Sequence, residues 1–258
     1  MRDVARAMWA RGRLAELETR YSDAANGYRQ AIELGYRIRR EGLLVDALVG
    51  MACSGYGIDS LYHVRHKLPL DDLDRSIATL IRLNADDETY DNVWQRDRVW
   101  TQRASGWHGH LQQLLSELVD HVYEFFIRSD QYAANYRTHQ ATVRLLIVEL
   151  ALVRFREDHG RLPDSLTELT PDYLTAIPTD PFDPIAESLR FKRDGAAYVL
   201  YSIGPNGIDE SGKAPDQDDP HGFPQTGDVR LDLYFAKEDA SATATQPAGA
   251  ATGSETRP

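Results

Sequence analysis

Through the first 158 residues apolar side chains recur three and four positions apart, the spacing that lines them along one face of an α-helix. Residues 3–20 are charged and rich in Ala and Leu. Tyr21, Ala24, Tyr28, Ala31, Ile32 and Leu34 continue such a stripe up to Gly35. Leu43, Leu44, Ala47, Leu48 and Met51 carry a helix through 36–61, and Cys53-Ser54-Gly55-Tyr56-Gly57 predicts a break or kink in it. Pro69 to Asp72 reads as a helix start with acids in its first turn, and Leu73, Ile77, Leu80 and Ile81 as its buried face. Further helices are predicted near 87–104, 108–128 and 131–158, roughly six in all. In the last, Val143, Leu146, Ile147, Leu150, Val153 and Phe155 alternate with Arg144, Glu149, Arg154 and Arg156. It stops at Gly160, which suits the position after a helix end, with Pro163 just beyond.

The period then changes. A short helix is predicted over Pro163–Leu169, and after Pro171 the character is β. Leu189–Arg193 alternates with period 2, Asp194-Gly195 is a hairpin turn pair, and Ala197–Ile203 is a second strand. A polar loop over 204–227 separates it from a third strand, Asp228–Phe235. Residues 236–258, rich in Ala, Thr, Gly and Ser, read as a disordered tail. One proline lies before residue 159 and eleven lie from Pro163 onward, which marks a boundary. The expected class is α+β. An all-α helical domain spans 1–139; a long helix packed on a small three-stranded antiparallel sheet follows in 140–235.

Composition narrows the function classes. The 258 residues are 42 % hydrophobic and 27 % charged, enough apolar content for a sizeable core. A net charge of −11 argues against wrapping nucleic acid, whose phosphates repel it. Residues 1–40 nevertheless hold nine Lys/Arg against five Asp/Glu, a face that suits an acidic partner. The single cysteine, Cys53, rules out an intrachain disulfide and a CxxC site. The longest apolar run, Leu145–Val153, holds Glu149 and is too short to span a bilayer. Residues 1–34 have no continuous apolar stretch of the secretory-leader kind, so membrane association is expected only through an anchor upstream.

Four motifs in order carry a resemblance. They are Arg154-Phe155-Arg156-Glu157-Asp158-His159-Gly160-Arg161-Leu162-Pro163-Asp164-Ser165-Leu166, then Pro178-x-Asp180-Pro181-Phe182, then Tyr201-Ser202-Ile203-Gly204-Pro205-Asn206-Gly207, and finally Gly227-Asp228-Val229. This region resembles the globular domain of the major pseudopilin of type II secretion systems. The resemblance covers about residues 140–235, roughly a third of the chain. It implies a structural calcium in the loop before the last strand, with Asn206 and Asp228 as ligands and the carbonyl of Ile203 nearby. Asp209 joins them by spacing alone. Calcium takes six to eight hard oxygens, and the loop also offers Glu210, Asp216, Asp218 and Asp219.

Other constellations have bland and sharp readings. His108, His110, Glu117 and His121, and separately His63 with His66, have spacings a metal could use, as do surface histidines. Glu149, inside the apolar run, is a catalytic carboxylate with a raised pKa or an exposed or arginine-paired position, with Arg144 and Arg154 within about a turn. Cys53-Ser54 beside Gly55 and Gly57 is a nucleophile or a close helix crossing. Tyr90, Trp94, Trp100 and Trp107, interleaved with Arg96, Arg98 and Arg103, bind a ligand or pack a helix. Tyr21–Gly35 resembles the second helix of a tetratricopeptide repeat. The expected function is a non-enzymatic bacterial structural protein, associated with the envelope or secretion, with protein partners. The cell envelope is favoured over the cytoplasm. A cytosolic interaction module and a metal-dependent hydrolase using His108–His121 remain the alternatives.

Overall fold

The computed structural model describes residues 2–104, 130–185, 187–195, 197–213 and 227–232. Its helices are α1 (Arg2–Leu17), α2 (Tyr21–Arg39), α3 (Leu44–Val64), α4 (Leu70–Ala85), α5 (Tyr90–Ala104) and α6 (Asp130–His159). The predicted helix over 108–128 and the tail over 236–258 lie outside the described residues. Two strands follow, β1 (Arg190–Asp194) and β2 (Ala197–Tyr201). The class is α+β and mostly helical.

Helices α1, α2 and α3 pack side by side, with the α2–α3 interface the most extensive in the fold. Small residues set that closeness. A Cβ at Gly50 would lie 2.5 Å from the Gly35 carbonyl oxygen, and one at Gly57 would lie 2.4 Å from that of Tyr28. Cys53-Ser54-Gly55-Tyr56-Gly57 is therefore a helix crossing, and α3 runs through it without the expected break. The interruption falls earlier, where Glu41 takes a left-handed φ of 56° ahead of Gly42. The Asp46 carboxylate then accepts from the Leu43 amide at 2.9 Å and starts α3.

Helix α4 begins as its sequence predicts, with Pro69 at the cap and Asp71 and Asp72 in the first turn. Leu73, Ile77 and Leu80 are buried against α6 and α2. Asp72, also buried, pairs with Arg29 of α2 at 3.2 Å. Val93 and Trp94 of α5 form a small second cluster with Leu44, Ala47 and Tyr136, against which Tyr90 packs, so Trp94 and Tyr90 of the aromatic–basic pattern are packing residues while Trp100 is exposed. Trp107 lies outside the described residues.

Helix α6 is the centre. From Ala141 to Phe155 all but Arg144 and Arg154 are buried. Their side chains join residues from α1, α2, α3, α4, β2 and the 229–231 segment in one continuous cluster. Helix α6 ends at Gly160, which takes φ +66° and donates its amide to the Arg156 carbonyl at 2.8 Å.

β1 and β2 form an antiparallel hairpin in the register Arg190↔Tyr201 to Asp194↔Ala197. The expected third strand over 228–235 is corrected: among the described residues the sheet has two strands, and the third segment contributes one bridge, Ser202↔Val229. The reason is local. Ser202 and Val229 exchange both backbone hydrogen bonds, and the chain then curls into a helical turn at Leu231, which ends the pairing. Residues 233–235 lie outside the described set.

The glycine contacts give a paired prediction. Gly57→Ala lowers stability by about 1–3 kcal/mol, because the Tyr28 carbonyl cannot move without parting the helices. Gly55→Ala, on the same helix but facing open space, raises it by about 0.5–1 kcal/mol. Urea denaturation of the two variants reads both signs.

Candidate functional site

The described ends of the 203–228 loop, residues 203–213 and 227–228, carry left-handed turns at Gly204, Gly207, Ser211, Gly212 and Gly227. These bring its two ends into contact. A Cβ at Gly204 would lie 2.1 Å from the Gly227 carbonyl oxygen, so only glycine fits there. Asp180 anchors the near end from below. Its carboxylate accepts from the Ser202 hydroxyl at 2.7 Å, the Ile203 amide at 2.9 Å and the Phe182 amide at 2.9 Å. Sequence reasoning quoted Asp180 within a motif but missed this role; an acid immediately before Pro-Phe, able to form an Asx turn, was the available signal.

The four expected ligand residues share this loop. Ile203 is buried, held through its amide by Asp180. Asn206 accepts from the Ile208 amide at 3.1 Å and donates to Glu210. Asp209 accepts from the Tyr201 hydroxyl at 3.0 Å and the Ser211 amide at 2.8 Å. Burial would raise its pKa, but the amide and phenol bonds outweigh burial and hold it below the usual range. Asp228 is different. It is 0 % exposed, and its Oδ2 accepts from the Gly212 amide at 2.5 Å. Its Oδ1 has no hydrogen-bond partner among the described residues, and neither does the buried Oε2 of Glu210. Burial, reinforced by the charges of Glu210 and Asp209, pushes the Asp228 carboxyl up against the pull of the Gly212 and Glu210 amides.

Two buried carboxylate oxygens without donors are costly unless something meets them. A hard cation or ordered water would do so. Among the described residues no three His, Cys, Asp or Glu side chains converge to hold a metal by themselves. A cation here would therefore draw on Asn206 and backbone carbonyls as well. Asp216, Asp218 and Asp219 lie outside the described residues.

The remaining candidates are placed as follows. His108, His110, Glu117 and His121 lie outside the described residues. His63 contacts Asp59 one turn back, its Nδ1 2.9 Å from the carbonyl oxygen. Cys53 is buried, which pushes its thiol up and keeps it protonated. The Ser54 hydroxyl donates into its own helix, to Gly50 or Met51, and stands 3.3 Å from His139 Nε2.

Glu149 is 6 % exposed. It accepts from the Tyr198 hydroxyl at 2.7 Å and pairs with Arg65 at 3.5 Å. Arg144 and Arg154 go elsewhere, to Thr179 and to Asp74 with Asp158. Arginine pairing was legible in sequence, but the partner comes from the end of α3.

No helix among the described residues is long and apolar enough to cross a membrane. The chain matches no protein-family model, no curated protein and no solved structure.

Burial raises the Glu149 carboxyl above the usual range, against the opposing pull of Arg65 and Tyr198. The folded state therefore holds this proton after the unfolded chain has released it. Stability from this group is full below the unfolded value, about 4.3, and declines as pH rises toward the folded value. Glu149→Gln, a neutral mimic, removes that decline. The stability difference between variant and wild type moves in the variant's favour as pH rises from the ordinary glutamate range to neutrality, read by denaturant titration at each pH.

Proposed function

We propose that this chain is a non-enzymatic structural protein of the bacterial envelope or secretion apparatus. In this reading its C-terminal part is a pseudopilin-like module, and a calcium ion closes the 203–228 loop. One observation carries the ion: Asp228, 0 % exposed, has no partner for Oδ1 among the described residues, and neither does the nearby Glu210 for its buried Oε2. The order of elements supports the module, since a long helix ends at Gly160 and packs on the β2 side of a small antiparallel sheet.

Asp228 and Glu210 would hold the ion, with Asn206 and the Ile203 carbonyl completing a hard oxygen set. Calcium supplies charge compensation there and no reaction. The residues do the rest. Asp180 fixes one end of the loop, and the Gly212 amide fixes the Asp228 carboxylate at the other. Because the site exists only when both ends meet, binding favours the folded chain by mass action. Protein partners belong to this reading, and the outer face of α1, which leaves Val4, Leu14 and Leu17 exposed, supports it.

Thermal unfolding with EDTA against excess calcium tests the ion. Calcium at about 100 times its Kd adds about 2.7 kcal/mol, a rise of about 5–10 °C for a chain of this size. Asp228→Asn keeps the acceptor for Gly212, loses the charge, and abolishes the rise. In EDTA the same variant melts no lower than wild type, since it removes an uncompensated buried charge. Equal melting of wild type in both conditions rejects the ion and leaves the loop closed by its hydrogen bonds alone.

A further inference from the structure

A second cluster lies away from the loop, where the end of α2, the α4–α5 connection and the start of α6 meet. It encloses a cavity of about 220 Å³ lined by Tyr36, Tyr136, four arginines (Arg39 among them) and the acids Glu33, Asp86, Asp87 and Glu88. Arg39 is 4 % exposed, yet its Nε and Nη1 have no hydrogen-bond partner among the described residues. Its Nη2 stands 2.9 Å from Asp87 Oδ1 as an ion pair. The guanidinium lies flat over the Tyr36 ring, 3.7 Å from its centroid. The Tyr36 hydroxyl is buried and also lacks a partner.

We propose that this cavity binds a small oxyanion, a carboxylate or phosphate group, through the free edge of Arg39 and the Tyr36 hydroxyl. The unmet groups are all donors. An arginine presents its N–H groups as a planar fork that matches two oxygens of such a group at once. Of the lining acids, Asp87 is engaged by Arg39 and, through Oδ2, by Gln140 at 3.4 Å, while Glu33 pairs with Arg82 at 2.9 Å and Glu88 with Arg96 at 2.5 Å. The groups left unmet are donors, and these rather than net charge select an anion over a cation. Glu33, Asp86, Asp87, Glu88 and the C-terminal end of α2 oppose an anion electrostatically, and Arg37, Arg39, Arg40 and Arg82 offset them. The size suits a single acid group on a small molecule, below the range of drug-sized pockets. Burial of Arg39 holds the fork still, because it is stacked on Tyr36 and paired with Asp87.

The test is thermal unfolding of the full chain in EDTA, titrated with inorganic phosphate or with succinate. Each titration is set against sodium chloride of matched ionic strength. The result expected is a saturable rise in Tm above the chloride control with at least one anion; which anion gives it separates phosphate from carboxylate ligands. Tyr36→Phe, which deletes one hydroxyl and keeps the ring under Arg39, weakens the apparent Kd roughly tenfold. Arg39→Lys weakens it further where that variant folds. No saturable rise with either anion overturns the proposal and leaves the cavity to water. A rise that Tyr36→Phe leaves unchanged also overturns it, because binding then lies elsewhere. Calcium is absent throughout, so neither result bears on the 203–228 loop.

Discussion

A helix that is apolar on every face can exist only with packing on every face. That is the situation of α6 between Ala141 and Phe155, and the other elements are arranged to supply it. Helix α4 covers it most extensively, α3 adds a further contact, and β2 reaches it as well. Leu145, Leu146, Ile147, Leu150 and Leu152 are all but completely buried, and each contributes about 1.5–3 kcal/mol. That sum outweighs the several kcal/mol that a buried carboxylate costs, so Glu149 is tolerated in the middle of the run. It is tolerated because it has partners. Arg65 comes from beyond α3 and Tyr198 from β2, so one side chain ties the helical part to the hairpin.

What sequence could show follows from this. Helical spacing was legible wherever one face meets solvent, as in α2 and α4, where polar residues mark the outer face. The end of α6 was legible because Gly160 is needed there for a left-handed φ. The turn at Glu41-Gly42 was misread, since apolar residues continue across it and the signal is a single glycine with Asp46 following. Gly55 and Gly57 suggested a break because glycine weakens isolated helices; in the fold Gly57 is a contact surface for Tyr28 instead. The third strand failed for a different reason. Its alternating pattern is real, but after the bridge at Val229 the chain turns helically at Leu231.

The loop residues Ile203, Asn206, Asp209 and Asp228 were read from a resemblance and from spacing. Which of them is left wanting was not legible. That depends on the Gly212 amide reaching one oxygen of Asp228 while the other has no hydrogen-bond partner among the described residues. The same holds for Arg39. Its place in a basic stretch looks like solvated surface, and only packing reveals it as a buried cation over Tyr36. Polar groups acquire chemical meaning through what the fold withholds from them, and sequence patterns record mainly what is apolar.

The continuous core through α6 makes a direct demand on cooperativity. Native-state hydrogen exchange measures it, comparing amides of Leu146–Leu152 in α6, Ile58–Leu61 in α3 and Leu200–Tyr201 in β2. A single core predicts that all three sets exchange through one global opening with the same free energy. Amides of α3 that stay protected while α6 and β2 open together would contradict it, and would show two units that fold separately.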